Sequence, residues 1–274
     1  MTEISVYLIN LVRAPERRAR MDFFLSAAKL NYTLIEAVDG KLLNQEILKS
    51  VVRADPGYEP IPAQVGCFLS HREAWKRIAT GKSRYGLILE DDLIFAANFD
   101  ELVGVLANED YDADITRLEG WPGRFWARKP IKSVELGYSL YRLDWSTHGA
   151  GCYLISKACA ARLLEESRYY TRPVDNLLFR SESPLWSSLR IYALSPAACF
   201  QHSFYYGDKE EAGFLVSSII PMSGTKRRRS PIRKISEEIM RQKHRLVRKM
   251  TGWRRISTPL HPVGPMPVYP PRQR

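Results

Sequence analysis

The sequence has little cysteine, no long apolar run and, over most of its length, no excess of either charge. Its four cysteines, at 67, 152, 159 and 199, include no CxxC pair. Their spacings fit neither a zinc site nor a dense disulfide framework, so reduced thiols are expected. No stretch approaches the ~20 apolar residues that a membrane-crossing helix needs. The first ten residues lack a basic segment followed by a long apolar one, so no secretory signal is expected and the cytoplasm is the expected compartment. No internal repeat is present. What is there is a globular composition, 45% apolar and 26% charged over 274 residues. That excludes a disordered, collagenous or multi-span membrane chain and leaves one large domain or two small ones.

The formal net charge of +11 is concentrated at one end. Residues 226–274 hold 15 Lys and Arg against two Asp and Glu, whereas residues 1–225 hold 26 against 28. A nearly neutral body argues against nucleic acid as the partner of the whole chain. The chain therefore divides into a body, 1–225, and a basic tail, 226–274. In the tail, Ser230 to Met250 reads as a helix with Pro231 in its first turn. Ile232, Ile235, Ile239, Leu246, Val247 and Met250 share a face ringed by Lys and Arg. Such a helix suits an anionic membrane surface, where each basic side chain contributes about 1 kcal/mol. Nucleic-acid binding and a merely solvated tail are the alternatives. Six prolines after Thr258 predict an extended or disordered end.

Along the body, apolar strands alternate with amphipathic helices, which predicts an α/β fold. Strands are expected at Ser5 to Asn10, Tyr32 to Val38, Tyr85 to Leu89, Ile115 to Leu118, Gly151 to Ser156, Arg190 to Leu194 and Ala198 to Gln201. Helices are expected at Pro15 to Lys29, Leu43 to Val52, Gln64 to Ala79, Phe99 to Ala107 and Lys157 to Glu166, with another beginning at Asp175. Residues 131–143 alternate as a hairpin would, and Gly120 to Pro130 reads as a loop. The strand Tyr85 to Leu89 is wholly apolar, hence central, and runs straight into Glu90, Asp91 and Asp92. Open α/β sheets bind ligands at this end of their strands. Alternation puts Glu90 and Asp92 on one side, a pair suited to Mg²⁺ or Mn²⁺, or else the triplet is an ordinary acidic turn.

Several segments together resemble glycosyltransferase family 25, the lipooligosaccharide and collagen galactosyltransferases. They are VYLINLVRAPERRARM at Val6 to Met21, EAVDG at Glu36 to Gly40, VGCFLSHREAW at Val65 to Trp75, LILEDD at Leu87 to Asp92 and RLEG at Arg117 to Gly120. HGAGCYLISKACAARLL at His148 to Leu164, RPVDNLLF at Arg172 to Phe179, Gln201 and Ser217 to Ile219 complete the series. The resemblance implies a GT-A-like fold, a Rossmann-like mixed sheet flanked by helices. It also implies sugar transfer, typically of galactose from a UDP-sugar, with a divalent cation. The acceptor it implies is a lipooligosaccharide or other glycolipid at the cytoplasmic face of an inner membrane.

On that reading Asp92 is the direct metal ligand, Glu90 or Asp91 supports it, and His202, next to Gln201, is the candidate second ligand. Asn10, Arg13 and Arg17 lie where a Rossmann-like half holds base, ribose and diphosphate. Asp39 is placed to bind uracil or ribose, or simply to make a turn before Gly40. Ser70 and His71 gain a donor-binding role from the resemblance alone; otherwise they are core residues. Inverting transfer needs a carboxylate to deprotonate the acceptor. Asp175, at a helix start where the dipole favours its anion, is the first candidate and Glu119 the second. A nucleotide-sugar-binding protein without catalysis, or a nucleic-acid binder using the tail, is the alternative function.

Overall fold

The computed structural model describes residues 4–53, 59–108, 112–120, 124–202 and 254–257. Strand β1 (Ser5–Asn10) leads into helix α1 (Pro15–Ala27), where Pro15 occupies the first turn and needs no N–H. Strand β2 (Tyr32–Glu36) and helix α2 (Gln45–Val51) follow; Asn44 caps α2 by accepting the Ile47 N–H at 2.9 Å. Helix α3 (Pro62–Thr80) precedes strand β3 (Tyr85–Glu90), and after a two-residue turn come strand β4 (Leu93–Phe95) and helix α4 (Phe99–Asn108). Strands β5 (Ile115–Arg117), β6 (Arg124–Ala127), β7 (Lys132–Val134), β8 (Tyr138–Arg142) and β9 (Cys152–Ser156) come next. Helices α5 (Lys157–Glu166) and α6 (Val174–Phe179) and strands β10 (Ile191–Ser195), β11 (Cys199–Gln201) and β12 (Arg254–Ser257) complete the described elements.

Eight strands form one mixed sheet in the order β2-β1-β3-β9-β5-β10-β8-β7. β2, β1 and β3 are mutually parallel, and β9 runs antiparallel between β3 and β5. The expected Rossmann-like mixed sheet flanked by helices is what the chain forms. Alternate residues of β3 feed two separate cores. Leu87 and Leu89 join Met21, Leu25, Leu102 and Leu106 on one face, while Ile88 joins Phe68, Trp75 and Leu163 on the other. Both faces are covered by helices, which is why β3 is apolar at every position up to Glu90. Leu87, Ile88 and Leu89 are completely buried, and each such burial contributes about 1.5–3 kcal/mol.

Three departures from expectation have local causes. The strand expected to reach Val38 stops at Glu36, because the Val38 N–H is taken by Ser70 Oγ at 2.8 Å. β4 continues the chain after the acidic turn and pairs with β11 outside the main sheet. The loop expected over Gly120 to Pro130 contains β6, which pairs antiparallel with β12. Part of the basic tail thus returns to the body. The tail helix expected at Ser230 to Met250 and the Ser217 to Ile219 motif lie outside the described residues, as does the Pro-rich end.

Candidate active site

The parallel strands β1 and β3 end side by side, and the polar residues begin where they end. Asn10 closes β1, and its amide donates to Asp91 Oδ2 at 2.7 Å and to the Ala14 carbonyl at 3.1 Å. Arg17 reaches across from α1, one guanidinium nitrogen 3.1 Å from Asp91 and another 3.2 Å from Asp92. The strand stops at Glu90, so Glu90 and Asp92 do not lie on one strand, although both line the same cleft. Asp91 and Asp92 share Arg17, while Glu90 turns to α3. There its Oε1 lies 3.2 Å from His71 Nε2 and accepts from the Cys67 thiol at 3.7 Å. Behind His71, Nδ1 meets the Tyr153 hydroxyl at 2.8 Å, and that oxygen accepts the Trp75 indole N–H at 2.9 Å. The His71 and Tyr153 rings stack, 5.8 Å apart and 7° from parallel.

These contacts set the charges. Burial pushes Glu90 upward, but the hydrogen bond and charge of His71, then Arg17, outweigh it and hold Glu90 below its ordinary range. Burial raises Asp91 against the pull of Arg17 and Asn10. Burial, then the Glu90 charge, lifts Asp92 to about 7. Asp92 Oδ1 is buried with no hydrogen-bond partner among the described residues. His202, whose backbone N–H donates to the Asp92 carbonyl at 2.7 Å, is pushed down to about 4 by burial and by Arg20 and Arg17. Its imidazole is therefore neutral at pH 7.

A cleft open to solvent runs past this cluster and is lined by Arg13, Arg17, Asp39, Cys67, Glu90 and Asp92, among others. Arg13 pairs with Asp39 at its rim and holds that carboxyl below its usual value. Ser70 also lines the cleft and supports its wall. Its hydroxyl donates to the Gly66 carbonyl at 2.7 Å and accepts the Val38 N–H. The wall and α3 touch through glycines. A Cβ on Gly40 would lie 2.3 Å from the Pro62 carbonyl oxygen, and one on Gly66 would lie 2.3 Å from that of Val38.

A second cluster sits beyond β5. Arg117 donates to the His148 carbonyl at 2.6 Å, and Glu119 Oε2 accepts the Gly151 N–H at 2.9 Å, so both grip the loop before β9. Gly149 N–H in turn donates to Asp175 Oδ2 at 3.3 Å. Gly149 has φ +84°, and its missing Cβ would lie 2.4 Å from Glu119 Oε1. Burial raises Glu119 to about 8, against Arg117 and with the charge of Glu90 adding to the rise. Asp175 is partly exposed on α6, 3.7 Å from His148.

The fold thus gathers Asn10, Arg13, Arg17, Asp39, Glu90, Asp91 and Asp92 around one cleft, with Ser70 and His71 in its supporting wall. Glu119 and Asp175 are joined through the 148–151 loop. Sequence reasoning missed Cys67, Arg117, Tyr153 and Trp75 as members. Cys67 and His71 carried a signal, a four-residue spacing on an expected helix that puts both on one face.

Residues 3–178 match the profile described as glycosyltransferase family 25 (LPS biosynthesis protein). The chain is 32% identical over 230 residues to procollagen galactosyltransferase 1-B of Xenopus laevis, covering 75% of this chain and 37% of that one. It is 31% identical over 193 residues to a glycosyltransferase 25 family member of Aedes aegypti, covering 63% and 29%. It is 32% identical over 196 residues to the inactive glycosyltransferase 25 family member 3 of Mus musculus, covering 64% and 31%. The chain spans about a third of the length of these curated relatives. A solved glycosyltransferase involved in glycosylation of the PBCV-1 major capsid overlaps 77% of this chain and 96% of its own, at 9% identity and a TM-score of 0.42. That likeness is too distant to carry weight. The profile match spans more than half of the chain and takes in every strand end that lines the cleft; the chain belongs to glycosyltransferase family 25.

Proposed function

We propose that the chain transfers a sugar, galactose from UDP-galactose, to a lipooligosaccharide or other glycolipid acceptor, with a divalent cation in the cleft. One observation carries the reading: three adjacent carboxylates line one cleft, Asp91 and Asp92 sharing the buried Arg17 while Glu90 meets His71, and an Asp92 oxygen is buried without a hydrogen-bond partner among the described residues. That concentration of carboxylates suits Mn²⁺ or Mg²⁺, with Asp92 and Glu90 as the proposed ligands, Asp91 supporting and His202, whose backbone bonds to that of Asp92, as the proposed further ligand. Such a cation, when bound, offsets the charge of the departing nucleoside diphosphate.

The protein's own side chains do the rest. Asp39 and Arg13 at the rim receive the base and ribose, and Arg17 holds Asp91 and Asp92 in place and adds positive charge beside the diphosphate. Asn10 fixes Asp91. Asp175 takes the proton of the acceptor hydroxyl as its oxygen bonds to the sugar and the bond to the diphosphate breaks, with inversion. The Gly149 N–H orients the reacting carboxylate. Glu119, neutral and covered, sets the loop and is not the base. The basic tail suits an anionic lipid surface, which supports a peripheral position on the cytoplasmic face of the membrane that carries the acceptor. Among the described residues no helix is long and apolar enough to cross a membrane.

A non-catalytic sugar-nucleotide-binding role is the second reading, favoured by the relative named inactive. Release of nucleotide from a panel of UDP-, GDP- and CMP-sugars, with Mn²⁺ or with EDTA, separates the two. Transfer predicts cation-dependent turnover of one UDP-sugar that falls at least about 100-fold in Asp92→Ala. Binding of a donor with no turnover, even with truncated lipooligosaccharide added, establishes the second reading and ends the first.

A further inference from the structure

Cysteine spacing along the chain points away from zinc, yet the fold assembles a mixed sulfur, nitrogen and oxygen cluster. Cys67 Sγ, His71 Nε2 and a Glu90 carboxylate oxygen all lie within 4.8 Å of one another. The nitrogen–oxygen separation is 3.2 Å and the sulfur–oxygen separation 3.7 Å. A tetrahedral zinc ion with bonds of ~2.0–2.3 Å holds such ligand atoms about 3.3–3.7 Å apart. Two of the three come from one helix four residues apart, and the third comes from the end of a strand. We propose that Cys67, His71 and Glu90 form a binding site for a borderline divalent cation of the Zn²⁺ class, distinguished by its thiolate ligand from the position at Asp92, with which it shares Glu90.

Ligand chemistry supports the assignment. Thiolate and imidazole select Zn²⁺ or Co²⁺, whereas Mg²⁺ and Mn²⁺ prefer carboxylates and water. Three protein ligands leave a fourth position open, and Cys67 and Glu90 both line the cleft. On binding, the Cys67 thiol and the Nε2–H of the His71 imidazolium each release a proton to solvent, and His71 keeps its remaining proton on Nδ1. The Tyr153 hydroxyl accommodates this, because a phenol can accept from Nδ1 as well as donate to it. A ligating histidine held through its other nitrogen is the usual outer arrangement of zinc sites. The ion would take Glu90 from the proposed transfer site, so this inference goes beyond the transfer reading and does not depend on it.

The test uses the full chain, stripped with a chelator and titrated with Co²⁺ and then Zn²⁺ in the absence of any donor sugar. The expected result is one near-ultraviolet thiolate-to-cobalt charge-transfer band, lost on adding one equivalent of Zn²⁺. Cys67→Ser abolishes the band and weakens Zn²⁺ at least about tenfold. Glu90→Gln, in case the serine variant folds poorly, keeps a weakened band. Absence of the band, or an undiminished band in Cys67→Ser, overturns the proposal, the latter by assigning the ion to Cys152, Cys159 or Cys199. No donor is present, so either failure leaves the question of Mn²⁺-dependent sugar turnover where it stood.

Discussion

Glu90 and Glu119 stand at the ends of the two strands that flank β9, and they meet burial in opposite ways. Glu90 keeps its charge because His71, Arg17 and Cys67 converge on it. Glu119, 3.5 Å from its one charged partner Arg117 and near two further carboxylates, is pushed up to about 8. The residue type is the same; the number and sign of the neighbours decide. A charged carboxylate at the cleft can meet a cation or a diphosphate counter-ion. A neutral one beneath the loop serves as a hydrogen-bonded brace. Glu90 is held for charge and Glu119 for position.

Variants can break this contrast, and the largest effect belongs to its one shared cation. Arg17→Ala leaves Asp91 and Asp92 buried without their guanidinium and should cost about 3–5 kcal/mol in chemical denaturation. Equal stability in the variant would mean that the carboxylates are paired elsewhere. Next comes the pH response. Glu119 has a folded pKa raised from 4.5 to about 8, so its contribution to stability is full below pH 4.5 and is lost as pH rises toward 8. Glu119→Gln, isosteric and never charged, lacks that loss. Its stability relative to the parent should grow by roughly 4 kcal/mol across this window, read from denaturation at several pH values. A constant difference would show that Glu119 is ionised in the fold.

Two glycines sharpen the positional half. Gly149 and Gly137 both have positive φ, +84° and +81°, but only Gly149 abuts a side chain, that of Glu119. Gly137→Ala should cost about 1 kcal/mol, from backbone strain alone. Gly149→Ala should cost about 2–3 kcal/mol more and also lower kcat, because the loop holding Asp175 shifts. Equal costs at the two sites would remove Glu119 as the brace. The smallest effect is at the rim. Arg13→Ala breaks a pair whose arginine is 44% exposed, so stability should change by less than about 1 kcal/mol while donor KM rises.

Much of the scaffold was legible because its signals are local. The apolar run at β3, the proline opening α1 and the amphipathic spacing of α5 each lie within a few residues of the structure they produce. What escaped depends on distant pairing. β6 has its partner β12 more than a hundred residues away, and three-residue β4 is too short for any periodicity to register. The site divides in the same way. Asn10, Arg17, Glu90, Asp91 and Asp92 were visible because strand ends can be read. Tyr153 and Trp75 were not, since an apolar strand and helix disguise two side chains that meet only across the core, 78 residues apart. The strand stops at Glu90, so alternation does not itself govern Asp92, which reaches the same cleft from the turn.

The close contact of Gly40 with Pro62 and of Gly66 with Val38 leaves no room for a methyl group between the cleft wall and α3. Asp39 and Cys67, each next to one of these glycines, therefore flank a closely packed seam. A ligand that fits between them would meet a preformed slot, and little of its interaction energy would be consumed in ordering the protein.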